Sequence, residues 1–171
     1  TCAKGLTAAH LPLGMCAVSQ KIAKKFEEVT FSGGLTYQAH PASLAAALAC
    51  MEVMEEEKVV ENSEKMGKVM RQLMEEMKEK HPSVGDIRSI GLFGCIELVK
   101  NRETREPFSH YPNASEVMTK IIEYLKVNGV YTYAFTNYFM TNPPLTVKEH
   151  ELRDVFKIID KSLEISDKCV I

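Results

Sequence analysis

The chain has 171 residues, 45% of them hydrophobic and 26% charged, with a net charge of −2. That length supports a domain with a real core, and the charge gives no electrostatic case for nucleic acid or an anionic membrane surface. Five cysteines (Cys2, Cys16, Cys50, Cys95, Cys169) stand at least 14 positions apart, so neither a Cys-x-x-Cys redox pair nor a zinc-ligand spacing is present. An odd number of widely spaced thiols suits a reducing compartment. No stretch approaches the ~18 apolar residues of a membrane helix. The N-terminus has no basic region followed by an apolar run, and a cytoplasmic protein is the expectation.

Residues 1–40 are rich in glycine, small and polar side chains. They read as loops and short extended pieces around one short helix near Ser19–Glu27. Pro41 suits a first helical position, which needs no N–H, and a helix over Ala42–Glu57 should follow. Its alanines, Ala45-Ala46-Ala47 and Ala49, allow close backbone approach. The run Glu55-Glu56-Glu57 is the solvated end of that helix. A second helix should begin near Asn62 or Ser63, either of which can cap it, and end at Lys80 before His81-Pro82. Met66, Met70, Leu73 and Met77 share one face of it. A flexible core face is the simpler reading of that stripe; an adaptable groove for a partner peptide is the other.

Val84–Val99 carries β-type segments, with Gly91 and Gly94 marking a bend or bulge. Asn101–Asn113 is polar and reads as a loop. A helix over Ala114–Val127 should end at the cap pair Asn128-Gly129. Val130–Tyr133 and Tyr138–Thr141 read as short strands, and Asn142-Pro143-Pro144-Leu145 as a rigid extended stop. Thr146-Val147-Lys148-Glu149 reads as a capping box opening a last helix. Its buried stripe is Leu152, Val155, Phe156, Ile159 and Leu163, with fraying after Ser166. Helices flanking a small sheet make an α/β layer module.

Lys4 is the leading candidate for chemistry. Its neighbours in Ala3-Lys4-Gly5 are small, so the amine has room to reach a carbonyl carbon, as a Schiff-base site requires. Gly33-Gly34-Leu35-Thr36-Tyr37 has the composition of a phosphate loop. Glycines free backbone N–H groups to face an anion, and a threonine hydroxyl adds a donor; most Gly-Gly turns are only turns. His10, His81, His110 and His150 show no metal-ligand spacing, and no pair of carboxylates is placed as an acid and base. His40 is read as fixing the helix start at Pro41 rather than as a base.

Three segments occur in order: Ala3-Lys4-Gly5-Leu6-Thr7, then Leu11-Pro12-Leu13-Gly14, then Ser32-Gly33-Gly34-Leu35-Thr36-Tyr37-Gln38-Ala39-His40-Pro41. Together they closely resemble the class III pyridoxal-phosphate-dependent aminotransferases, and the resemblance runs over almost the whole chain. It implies the C-terminal part of a fold type I transferase, α/β, with a small sheet flanked by helices. Residues 1–41 would be the cofactor-lysine and phosphate-loop segment at the end of a large domain. Residues 42–171 would be a C-terminal small domain with its linking helix. The resemblance implies that Lys4 binds the cofactor aldehyde and, once displaced by an incoming amine, moves a proton between substrate and cofactor. The cofactor ring supplies the electron sink. A lysine in water is protonated at neutral pH, so such a site needs desolvation or nearby positive charge. Thr36 would reach the cofactor phosphate of the neighbouring subunit, which makes a homodimer part of the expectation.

The resemblance implies two further points. Arg88, before Gly91-Leu92-Phe93-Gly94, matches a common family position and is read as structural. Family members that take ω-amino acids commonly hold the carboxylate with an arginine shortly before the Pro-Pro-Leu segment, where a bidentate guanidinium suits it. Here that stretch is Tyr131-Thr132-Tyr133-Ala134-Phe135-Thr136-Asn137-Tyr138, without arginine. Its three tyrosines and Phe135 are read either as packed strand residues, the simpler reading, or as the lining of an aromatic amine pocket. In the family, the residues that hold the phosphate within the same subunit, stack on the ring and pair an aspartate with its nitrogen lie upstream of this stretch. The expected function is therefore transfer of an amino group from an amine or ω-amino acid to a 2-oxo acid, by a fragment inactive alone and completed by an N-terminal portion or subunit. The alternatives are a non-catalytic dimerisation or interaction fragment, and a related aminomutase or racemase.

Overall fold

The computed structural model describes residues 1–113 and 115–171. They form two compact units, Thr1–Lys58 and Val59–Ile171.

The first unit opens on a loop that a two-way backbone pairing of Cys2 with Met15 closes, each N–H donating over 2.8 Å to the other's carbonyl. Inside it, Lys4–Thr7 is a single 3₁₀ turn. The short helix expected near Ser19–Glu27 is two separate turns, α1 (Gln20–Ala23) and α2 (Lys25–Glu28). The third helix, α3 (Pro41–Glu56), starts with proline in its first turn, as its sequence suggests. It buries its small face, Ser43 and Ala47, and leaves Leu44, Leu48 and Met51 exposed. Lys58, at φ 50°, ends the unit.

The second unit begins with α4 (Val59–Lys80), three residues ahead of the caps expected at Asn62 or Ser63. Asn62 does not cap. Its amide donates instead to the carbonyls of Leu145 (2.6 Å) and Val147 (3.1 Å), tying the helix to the stretch before the last helix. Met66, Met70, Met74 and Met77 are buried, so the methionine stripe is a core face.

Strands β1 (Val84–Ile90) and β2 (Phe93–Leu98) form an antiparallel hairpin. Gly91, at φ +53°, lies in its turn. The guanidinium of Arg88, read as structural, meets Glu97 at 2.7 Å and Asp86 at 3.2 Å. The predicted helix start at Ala114 lies outside the described residues. Helix α5 spans Glu116–Val127, and Ser115 caps it by accepting from the Met118 N–H.

The strand expected over Val130–Tyr133 is not formed. The pairing falls later, on β3 (Ala134–Phe135), which pairs with β4 (Tyr138–Thr141). Asn137, in the turn between them, exchanges two hydrogen bonds with the backbone of Ser109. The sheet order is β1-β2-β4-β3, all antiparallel.

The last helix, α6 (Glu149–Asp167), starts later than the predicted capping box. Glu151 rather than Glu149 reaches back, its carboxylate accepting from the Lys148 N–H at 2.8 Å. Leu152, Phe156, Ile159 and Leu163 are buried as predicted. The tail does not fray: the Ile171 N–H donates to Lys100 O at 2.9 Å, and Asn101 returns a bond to Ile171 O.

His81 interlocks this unit. Its ring is 1% exposed; Nδ1 lies 2.7 Å from Asp167 and Nε2 2.9 Å from Asp160, both on α6. Ser83 donates to Asp167 at 2.6 Å, and Lys80 to Asp160 at 2.6 Å. Arg102 donates to the carbonyls of His81, Val84 and Lys78, capping the end of α4. Burial would raise the Asp160 carboxyl, but hydrogen bonds from Lys80 and His81 outweigh it and hold the group below the ordinary carboxylate range. A carboxyl lowered by folding contributes stability that is complete above its unfolded value, near ~4, and is lost as pH falls through the folded value. Denaturation across acid pH should therefore show stability declining below about pH 4, and Asp160→Asn should lose part of that decline.

Candidate cofactor-lysine site

Lys4 sits at φ 51°, and Ala8 and Ala9 at 46° and 63°. A non-glycine residue in the left-handed region is held there by its surroundings at a cost of about 1 kcal/mol or more. Three within six residues mark a loop whose shape is imposed. What imposes it is visible: the Cys2–Met15 pairing closes the ends, and Thr7, 2% exposed, donates to the Leu11 carbonyl at 2.6 Å. The loop packs on α3, where Ser43 and Ala47 are small enough for a backbone to approach. Lys4 itself is exposed, and among the described residues its amine makes no ion pair or hydrogen bond.

Thr36 begins an exposed turn, Thr36–Ala39, in which Gln38 N–H donates to Leu35 O. A Cβ at Gly33 would lie 2.5 Å from the exposed Phe31 ring, which would have to turn aside to admit it. That ring meets Phe26 edge-on at 5.3 Å. Among the described residues, neither the Gly33 and Gly34 amides nor the Thr36 hydroxyl makes a hydrogen bond within the chain. Lys4 and Thr36 belong to the same unit, and no hydrogen bond joins them among the described residues. His40 precedes α3 in an extended conformation without a side-chain cap, as a residue that starts a helix.

These residues fit pyridoxal phosphate on two observations. The amine of Lys4 is unpaired and flanked by small residues, as an aldehyde partner must be. The amides and hydroxyl of the glycine turn are unspent donors, as a phosphate needs.

The strain at Lys4 and the Cys2–Met15 closure escaped the sequence, because neither has a local signature; one depends on pairing across the loop. Elsewhere, Cys95 is half-buried, and burial pushes its thiol up despite the Arg88 guanidinium beside it. In the second unit, Tyr131 is 92% and Tyr133 62% exposed. Neither is packed as a strand residue. Together with Tyr138 they line one cavity, whereas Phe135 packs against Tyr111 and Tyr138. Partial burial and the neighbouring Tyr133 raise the Tyr138 phenol above its ordinary value, so it is neutral at physiological pH. No group of His, Cys, Asp and Glu among the described residues has the makings of a metal site, and none of their helices is long and apolar enough to cross a membrane.

Residues 1–163 match the family described as aminotransferase class-III. The adenosylmethionine-8-amino-7-oxononanoate aminotransferase of Methanocaldococcus jannaschii is 34% identical over 154 residues, covering 87% of this chain and 32% of the relative. The isoleucine 2-epimerase of Lentilactobacillus buchneri is 36% identical over 126 residues, 73% of this chain and 27% of the relative. Among solved structures, the taurine:2-oxoglutarate aminotransferase from Bifidobacterium kashiwanohense, in complex with PLP and glutamate, superposes with a TM-score of 0.90 at 33% identity, over 99% of this chain and 38% of that one. The chain thus spans about a third of the length of the relatives it matches. With its α/β fold, its antiparallel sheet flanked by helices and its lysine loop, the chain belongs to the class III family of pyridoxal-phosphate-dependent aminotransferases.

Proposed function

We propose that this chain supplies the cofactor lysine and one phosphate donor of an enzyme that moves an amino group from an amine or ω-amino acid to a 2-oxo acid. Lys4 has the first role and Thr36 the second. The observation that carries this reading is the unpaired Lys4 amine on a loop held in a strained shape from both ends. Bound pyridoxal phosphate would supply an aldehyde that takes up amines and a ring that accepts the electron pair of a substrate C–H bond. The residues do the rest. Lys4 holds the aldehyde carbon until an amine displaces it. Its freed amine, held by the loop, would take the proton from the substrate carbon and deliver it to the former aldehyde carbon on the other side of the shared nitrogen. The Thr36 hydroxyl would donate to the phosphate held by a second copy, so the working unit is a homodimer in the cytoplasm.

The chain alone is read as inactive. The chain spans about a third of the length of its relatives. An upstream portion or a separate subunit would therefore complete it. Two alternatives keep some support. The likeness to an isoleucine epimerase favours a racemase-type reaction, since proton transfer by the same lysine serves both. The first unit buries only Thr7, Ser43 and Ala47, which favours a fragment that works by associating with another polypeptide.

A chimera tests the proposal. The chain is joined to the upstream part of the Bifidobacterium kashiwanohense enzyme at the matched position, and amine and 2-oxo acid pairs are screened. Turnover by the chimera, abolished in Lys4→Arg, is expected. Turnover that survives Lys4→Arg contradicts the role of Lys4, and turnover by the chain alone contradicts its incompleteness.

A further inference from the structure

Between Thr1 and Ala42 the structure buries one residue, Thr7. It closes the turn that follows it twice over. Its carbonyl accepts from the His10 N–H at 2.9 Å, and its hydroxyl donates to the Leu11 carbonyl at 2.6 Å. Between those bonds Ala8 and Ala9 both stand in the left-handed region. Such a pair suits Asn-Gly and not Ala-Ala, because each Cβ crowds a neighbouring carbonyl there. The turn is therefore held from outside its own sequence, and the Thr7 hydroxyl is the side chain that reaches across it. Thr7 is also the last residue of the 3₁₀ turn that Lys4 begins. Within that turn the Leu6 N–H donates to Ala3 O at 3.1 Å and the Ala8 N–H to Gly5 O at 3.2 Å. The backbone of Lys4 is thus built directly on the strained pair.

We propose that Thr7 is a positioning residue for Lys4: its hydroxyl holds the Ala8-Ala9 turn, and through it the direction in which Lys4 leaves the backbone. The inference rests on the reading of Lys4 as the cofactor lysine and adds the group that aims it. An amine that must meet an aldehyde carbon has little tolerance for error; a displacement of ~1 Å can cost about 100-fold in rate. The Lys4 side chain is exposed and makes no bond of its own among the described residues, so its aim comes from the backbone. Thr7 acts through that backbone, by one hydrogen bond. Valine keeps the shape of threonine without the hydroxyl, serine keeps the hydroxyl, and glycine takes a positive φ without strain.

Two readouts test this on Thr7→Val, Thr7→Ser and the triple variant Thr7→Val, Ala8→Gly, Ala9→Gly. The first is amide hydrogen exchange of the full chain without cofactor. Thr7→Val should speed exchange about 10-fold at His10, the scale of one lost hydrogen bond, and at Leu6 and Ala8 with it. Thr7→Ser should stay within ~3-fold of the parent. The second is the rate at which pyridoxal phosphate and borohydride label Lys4 in the chimera described above. Thr7→Val should slow that labelling at least ~10-fold, Thr7→Ser should keep it, and the triple variant should recover most of it, because glycine needs no hydroxyl to hold the turn. Exchange that rises at His10 but not at Leu6 and Ala8 overturns the proposal, since the turn then does not govern the Lys4 backbone. So does labelling in Thr7→Val as fast as in the parent, a serine variant as slow as valine, or a triple variant that does not recover. A parent chimera unlabelled at Lys4 overturns the cofactor assignment and the proposal together, which separates that failure from a failure of Thr7 alone.

Discussion

Replacing His81 with leucine should destabilise the Val59–Ile171 unit by about 3 kcal/mol, read by urea denaturation as a lower midpoint with an unchanged slope. The ring is buried, and both nitrogens face carboxylate oxygens, Asp167 at 2.7 Å and Asp160 at 2.9 Å. Leucine matches the volume but leaves carboxylate oxygens of Asp160 and Asp167 facing an apolar side chain. Removing one partner of a part-buried charged network costs more than the network contributes, because the remaining charge is stranded. Lys80 keeps two bonds to Asp160 and Ser83 two to Asp167, which holds the loss below the extreme for a wholly isolated charge. If Asp160 and Asp167 are also changed to asparagine, most of the penalty should disappear, since no charge is then stranded. A cost below ~1 kcal/mol for His81→Leu would mean the carboxylates are solvated and the interlock is decorative.

Gly67→Ala should go against the usual rule. In an exposed helix interior, alanine for glycine gains about 0.5–1 kcal/mol. Here a Cβ would stand 2.5 Å from Gly91 Cα, 2.6 Å from its carbonyl carbon and 2.8 Å from its oxygen. The obstacle is backbone, and Gly91 holds a hairpin turn at φ +53°, so α4 and the β1–β2 turn must separate. We expect a loss of about 2–3 kcal/mol, the scale of overpacking in a closed core. Thermal unfolding of the variant measures it, and a gain in stability would show that helix and hairpin do not meet as closely as the structure has them.

The sequence made helices legible where packing repeats locally. The stripe of α6 and the methionine face of α4 sit as periodicity predicts, because a 3.6-residue repeat is a property of each helix alone. Its ends were less legible. Asn62 has the chemistry of a cap but is drawn to the carbonyls of Leu145 and Val147, 83 and 85 residues away, and the capping role near Thr146 passed to Glu151. The strand expected at Val130–Tyr133 shows the same limit from the β side. Alternating tyrosines favour a strand, but the pairing falls on Ala134 and Phe135, beside a turn in which Asn137 bonds to Ser109, a long-range contact. Of the candidate site, the residue types were readable: Lys4 between small neighbours, and glycines ahead of Thr36. The left-handed backbone at Lys4 was not, since alanine and lysine carry no sign that tertiary contacts will hold them at positive φ.

The most direct measurement is reductive trapping. The purified chain is incubated with pyridoxal phosphate, reduced with borohydride and digested, and the modified lysine is found by peptide mass. In the chimera with the upstream part of the Bifidobacterium kashiwanohense enzyme, treated in the same way, the account predicts label concentrated at Lys4 and lost in Lys4→Arg, with the remaining lysines at background. Label scattered over many lysines, or an unchanged pattern in Lys4→Arg, would contradict the assignment of Lys4 as the cofactor lysine.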